Sequence, residues 1–387
     1  MLRSPLFGRR IHISGSISED ASVASRGEVE QSREFVTMLA KELVGKGATF
    51  VIPVDAEKIR SIDGLPICFD WLIWEGIEKS LSKRPDGAPD PLIIAVQHHK
   101  NEEQVPDQYK GLWDNLRSTD RVKIENASHW NMASKRMEAQ AKWGDILIAI
   151  GGSEGVLFLA NLYHDAGKPV IPLNPKLCRE DTGSLRLFNY GLASTHTNKL
   201  FQTNPPTDSH GWINRINFVR KDNFQRVSNV IGLLEALHAP TAFAIRLLDP
   251  KHEDYKDVQN YFDTVVQPVI EGELGFKFVI VDGKQALEFS RIDQEIFAKL
   301  YRSAVVIADI TGQRPNCFLE LGYALGRALP TMVIGKEGIK HPFDISSVSG
   351  LHWKTDGTVN DRRREFREHW RAIRGRPPLV PMEPLIP

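Results

Sequence analysis

The sequence predicts an α/β chain of two three-layer units with mainly parallel sheets, and three observations carry that prediction. Apolar runs too continuous for half-exposed strands recur along it, as in Asp145-Ile-Leu-Ile-Ala-Ile150. Such runs are what a parallel sheet covered on both faces requires. They alternate with segments of helical spacing, the pattern of β-α-β units. The length, 387 residues, exceeds one ordinary core and suggests two domains.

The first unit opens with Ile11-His-Ile-Ser-Gly-Ser16, a strand ending on a glycine where the chain can turn towards a ligand. Phe35, Met38, Leu39, Leu43 and Val44 recur at helical spacing and stop at Gly45 and Gly47, and Ala48-Thr-Phe-Val-Ile-Pro53 reads as the next strand. Residues 58–128 are less regular, with a helix over 71–77 and a buried strand in Pro91-Leu-Ile-Ile-Ala-Val96. A helix through Met137 and Ala141 follows, then the strand ending at Ile150, Gly151-Gly152, a helix over 155–166 and the strand Pro169-Val-Ile-Pro-Leu173. Residues 1–180 therefore form the expected first domain, and 181–240 a linker and connector helix, with Phe224, Val227, Val230, Ile231, Leu234 and Leu237 at helical spacing before Ala239-Pro240.

The second domain is expected over 241–353. Strands are predicted at 241–248, 276–281, 305–309 and 331–334, with helices at 254–274, 292–303 and 316–329 between them. Four strands and three helices make a small flavodoxin-like unit whose ligand crevice lies at the carboxyl ends of its strands. Both domains are thus Rossmann-like. Residues 354–387 are expected as a basic tail, helical over 361–376, with a solvated face as its default role.

Lys plus Arg equals Asp plus Glu at 49 each, so no global positive field draws in nucleic acid or an anionic membrane. Cys68, Cys178 and Cys317 are too scattered for a disulfide framework or a metal-ligand set, and read as reduced thiols. Neither a signal-peptide core nor a run of membrane-spanning length occurs, which predicts a cytoplasmic protein. No cofactor and no metal are expected.

Gly151-Gly-Ser-Glu-Gly155 sits between a buried strand and a helix, where backbone N–H groups and the positive helix end favour an anion. By itself such a loop also serves turn geometry alone, and the local sequence leaves both open. Together with Arg136-Met137, Gly144-Asp-Ile-Leu-Ile-Ala-Ile-Gly-Gly152 and Ala166-Gly-Lys-Pro-Val-Ile-Pro172, it resembles the SLOG superfamily over about residues 10–180. Gly15-Ser16 fits that superfamily's turn after the first strand. The resemblance implies a nucleotide-signal site at Gly15, Ser16, Arg136, Gly151, Gly152, Ser153, Glu154 and Gly155. The superfamily's enzymes carry a threonine and a catalytic glutamate after the loop, where this chain has Val156 and then Leu157-Phe-Leu-Ala160. Sensing is therefore the better reading of this domain.

In the second domain, Asp309 ends a buried strand, and the next helix places Asn316, Glu320, Tyr323 and Arg327 on one stripe. Breaking an N-glycosidic bond develops positive charge at the anomeric carbon, which a carboxylate beneath the ribose can stabilise or attack. Glu320 suits that task, with Asp309 as its partner and Thr311 and Asn316 as neutral hydrogen-bonding groups. The bland alternative is a solvated stripe and a dipole-favoured glutamate.

Ala308-Asp-Ile-Thr311, Pro315-Asn-Cys-Phe-Leu-Glu-Leu-Gly-Tyr-Ala324 and Pro342-Phe-Asp-Ile345 resemble the TIR-like domains related to nucleoside deoxyribosyltransferases, over about residues 241–353. That likeness implies a catalytic role for Glu320 and substrate positioning by Asp309, with Thr311, Asn316, Tyr323 and Asp344 around the substrate. Arg246 and Asp249, ending the domain's first strand, point to the crevice edge or form a structural ion pair. Arg314-Pro-Asn316 departs from the transferase pattern, which favours hydrolysis over base transfer.

The leading expectation is a nucleotide N-glycosidase acting on NAD or a related nucleotide, switched on by a nucleotide signal at the first domain, in antiviral defence. Nucleotide small molecules are its expected partners and a homo-oligomer its expected state. Two alternatives stay open: a non-catalytic nucleotide-binding sensor or adaptor, and a phosphoribohydrolase acting through the first domain.

Overall fold

The structure, a computed structural model, describes residues 4–97, 105–127, 133–282, 291–339 and 350–373. The chain divides into two compact units, residues 1–238 and 239–386. Each is an α/β unit with an all-parallel sheet among the described residues.

The first unit contains β1 (Arg10–Ser14), β2 (Thr49–Val54), β3 (Ile93–Gln97), β4 (Val122–Asn126), β5 (Ile146–Ile150) and β6 (Val170–Leu173), in the spatial order β4-β3-β2-β1-β5-β6. Strand order reverses between β1 and β5. A ligand crevice therefore belongs outside the carboxyl ends of those two strands, where Gly15-Ser16 and Gly151-Gly152 follow. Helix Arg26–Gly45 begins where Ser25 accepts the Glu28 amide and buries Phe35, Val36, Leu39, Ala40, Leu43 and Val44. The strand β4, Val-Lys-Ile-Glu-Asn, was not legible in the sequence: it is an edge strand, half-buried to exposed throughout, and carries no apolar run.

Of the expected linker 181–240, residues 181–238 are built into the first unit. They form helices Gly183–Gly191, Thr197–Leu200, Ser209–Arg215 and Asn223–Ala236. Phe188, Phe201, Ile213, Phe218, Val230 and Leu233 enter the same core as the sheet. Helix Asn223–Ala236 packs on helix Arg26–Gly45, and Phe218 meets Phe35 edge-on at 4.8 Å. Glu235 pairs with Lys46 at 2.8 Å. The sequence hid this because the polar residues between these short helices resemble loop composition.

The second unit contains β7 (Thr241–Ile245), β8 (Lys277–Val279), β9 (Val305–Asp309), β10 (Thr331–Lys336) and β11 (Leu351–Trp353), in the order β11-β10-β9-β7-β8. In chain order this is 2-1-3-4-5, the flavodoxin-like arrangement, with its reversal between β7 and β9. The three-residue β11 was not foreseen, being too short to show a period. The helix expected over 254–274 starts as Tyr255–Tyr261 and continues in wider π-type turns to Glu273. Pro268 lies within that stretch and supplies no N–H to an α ladder.

The C-terminal helix Val359–Ile373 is not a solvated tail. Five arginines mask an amphipathic segment whose Phe366, Trp370 and Ile373 are buried in the core on one face of the second sheet. Trp370 meets Phe276 edge-on at 5.2 Å. The opposite face of that sheet is covered by helices Ile292–Tyr301 and Pro315–Gly326. Trp370→Ala is expected to cost about 3–5 kcal/mol, the range for deleting a core aromatic. Denaturant titration of the full chain checks this, and a loss below about 1 kcal/mol would return the helix to the surface.

Candidate functional site

The second unit's reversal point gathers Arg246 after β7, Asp309 at the end of β9, and the start of helix Pro315–Gly326. Asp309 is 1% exposed, and both its carboxylate oxygens are engaged. One accepts the Thr311 amide at 2.9 Å and the other the Trp353 indole N–H at 2.9 Å. Trp353 is stacked on Tyr261 at 4.5 Å, so the carboxylate ties β9 to a rigid aromatic wall. Burial raises the Asp309 carboxyl to about 6, against the opposing pull of these hydrogen bonds and of the Arg246 charge. A carboxylate so enclosed cannot lie against a ribose, which makes Asp309 a positioning group. Thr311 is spent in the same way: its hydroxyl accepts the Lys336 amide at 3.0 Å.

Glu320 differs. It is half-buried on the second turn of its helix, with no hydrogen-bond or ion-pair partner among the described residues. Burial raises its carboxyl to about 7. Cys317, one turn earlier, donates its thiol proton to the Arg246 carbonyl at 3.7 Å, which fastens the helix to the end of β7. The nearby charges of Glu320 and Asp309 add to burial in holding that thiol at about 12. Cys317 is thus a packed neutral thiol, not a nucleophile.

The expected stripe divides along the helix. Asn316 is exposed. Tyr323 packs edge-on against Phe297 at 5.0 Å, and Arg327 lies over the Tyr301 ring at 4.5 Å, so both face helix Ile292–Tyr301. Asp249 pairs with Arg314 at 3.4 Å, the structural ion pair that the sequence left open. Asp344 and the Pro342-Phe-Asp-Ile345 motif lie outside the described residues.

In the first unit the glycine loop is largely consumed by the fold. The Gly151 amide donates to the Ser184 hydroxyl at 2.8 Å, and the Gly152 amide donates to the Ser16 carbonyl at 2.7 Å. A Cβ on Gly15 would fall 1.7 Å from the Ile150 carbonyl oxygen, and Gly152 has φ +84°, so both glycines serve close approach and turn geometry. Gly155 leaves room for Met137, whose methyl would stand 3.3 Å from a Cβ there. Ser153 caps the following helix without a side-chain bond, and Glu154 places a negative charge in its first turn. The first two loop amides, those of Gly151 and Gly152, are thus engaged where a phosphate cradle would use them. Arg136 is held by Asp55 at 2.7 Å.

That ion pair marks residues that the sequence reading missed. Asp55 directly follows β2, and Asp70 opens helix Asp70–Glu78, just after Cys68, whose backbone bridges to Ser16. Burial raises the Asp70 carboxyl to about 7, with Asp55 and Glu57 adding to the rise and Arg136 opposing it. An acid at the end of the second strand is a known ribose-reading position in doubly wound folds, and that rule could have singled out Asp55. Asp70 had no such signal, since only the fold brings it to the reversal point.

Among the described residues no group of three potential ligands could hold a metal, and no helix is long and apolar enough to cross a membrane. A family model described as ATP nucleosidase Cap17-like, N-terminal, matches residues 6–235, more than half the chain and nearly all of the first unit. No curated protein matches the chain.

The raised Glu320 carboxyl has a thermodynamic signature. The folded chain holds this proton to higher pH than the unfolded chain, so the group's contribution is fully present below the ordinary glutamate range and is lost as pH rises through about 7. Glu320→Gln carries no such charge. Its melting temperature relative to the unaltered chain is expected to rise between about pH 5 and about pH 8, and a difference constant across that range would place Glu320 in full contact with water.

Proposed function

The chain belongs to the family of ATP nucleosidase Cap17-like N-terminal domains, and from that premise we propose that it hydrolyses the N-glycosidic bond of an adenine nucleotide, with Glu320 as the catalytic carboxylate. One observation carries the assignment: Glu320 is an acid held partly out of water at a strand-order reversal, with no ion-pair partner among the described residues. Structural glutamates are paired or solvated, and catalytic ones are commonly tuned towards neutral pH.

In the proposed reaction the bond between C1′ and the base nitrogen breaks, and its electron pair leaves with the base. The ionised Glu320 stabilises the positive charge that develops at C1′, or adds to it and is then displaced. Water delivers hydroxide to C1′ and a proton to the base. Asp309 acts from behind, fixing the end of β9 through Thr311 and Trp353. ATP is the substrate that the family description favours, and NAD is a second adenine nucleotide with a scissile N-glycosidic bond. We further propose that a nucleotide signal at the first unit switches this activity on, in a cytoplasmic homo-oligomer serving antiviral defence. The SLOG-like and TIR-like resemblances support that part.

A second reading places the chemistry in the first unit, because the family match lies there and Asp70 also has a carboxyl raised to about 7. The test is chromatography of free adenine and nicotinamide after incubating ATP or NAD with the chain and its Glu320→Gln and Asp70→Asn variants, with and without candidate nucleotide signals. Glu320→Gln is expected to lower kcat by about 100-fold or more while its melting curve stays cooperative. Full turnover in Glu320→Gln together with its loss in Asp70→Asn would move the active site to the first unit.

The ionised form of Glu320 is the working one, so kcat/KM is expected to fall as pH drops through about 7. A rate flat across that range would remove Glu320 from the reaction.

A further inference from the structure

Arg246 stands one residue beyond β7, at the reversal point of the second sheet. Its carbonyl holds the Cys317 thiol, so its backbone is fixed to the helix that presents Glu320 one turn later. Its guanidinium lies over the Phe262 ring at 5.2 Å, a contact that favours the charge but accepts no N–H in the usual sense. Nε and Nη1 are buried, and neither has a hydrogen-bond acceptor among the described residues. The nearby acids are committed elsewhere. Asp309 holds Thr311 and Trp353, and Asp249 faces Arg314.

Buried N–H groups on a permanent cation are costly to leave unmet, and an acceptor brought by a ligand is a direct way to meet them. A guanidinium is suited to phosphate oxygens, which offer several acceptors and a negative charge together. We infer that Arg246 receives a phosphate of the substrate, so that the second unit selects phosphorylated nucleotides and rejects the corresponding nucleosides. This rests on the reading of the second unit as the nucleotide site. It goes beyond that reading by naming the group that separates ATP from adenosine. Glu320 then addresses the sugar, and Arg246 the anionic end of the same molecule.

The experiment uses the full chain in the Glu320→Gln background, so that turnover does not consume the probe. Affinities for ATP and for adenosine are measured by calorimetry, before and after adding Arg246→Gln or Arg246→Lys. Arg246→Gln is expected to weaken ATP by about 10- to 100-fold and to leave adenosine within about threefold, the range for losing a charge-assisted hydrogen bond. Arg246→Lys, which keeps the charge but not the planar fork, is expected to fall between. An equal loss for ATP and adenosine with a lowered melting temperature would make Arg246 a structural residue and overturn the inference. An unchanged ATP affinity would overturn it as well. If Glu320→Gln alone turned over ATP at the full rate, the catalytic assignment would fail, while the change in ATP affinity at Arg246 would still be read separately.

Discussion

Each unit is governed by one constraint: a parallel sheet must be covered on both faces, and every connection must cross over it in the same hand. The carboxyl ends of all strands then lie along one edge. Where the order of strands reverses, the adjacent crossovers lie on opposite faces and leave a gap at that edge. In the first unit the gap falls between β1 and β5, and in the second between β7 and β9. Side chains from distant stretches of sequence meet there because the topology offers nowhere else that is both open and rigid. Asp55, Asp70 and Arg136 are brought together at one edge, and Arg246, Asp309 and Glu320 at the other.

The two acids of the second unit show how burial divides labour between chemically similar groups. Asp309 is sealed in, and two donors hold its charge in place. Glu320 is only partly buried and has no donor among the described residues, so burial raises its carboxyl, to about 7, with no hydrogen bond opposing the rise. Hydrogen bonds to an ionised carboxylate lower its proton affinity, while desolvation raises it. One group is therefore committed to architecture, and the other is left available for chemistry near neutral pH. The first unit repeats the theme: Asp55 is neutralised by Arg136, while Asp70 has only a more distant pull from the same guanidinium.

The glycine loop of the first unit illustrates a limit of motif reading. Its position at a strand end before a helix was right, yet the amides of Gly151 and Gly152 are answered by Ser184 and Ser16. Ser184 belongs to helix Gly183–Gly191, in the stretch that composition had marked as a linker. An acceptor supplied from over thirty residues away cannot be inferred from the loop itself. The same reason hid the role of Trp353, whose indole is the partner that fixes Asp309.

What the sequence determined by itself was the α/β class, the alternation of strands and helices, and the placement of Glu320 and Asp309 on a strand-loop-helix segment. These follow from local periodicity, since a buried strand and an amphipathic helix each write their pattern within a dozen residues. The edge strand β4, the short β11 and the packing of helix Val359–Ile373 were decided by tertiary structure, because pairing at an edge and burial beneath a screen of arginines leave little local trace. Which acids are spent and which are free was also decided there. Proton affinity depends on burial and on partners contributed by remote segments, and a linear sequence records neither.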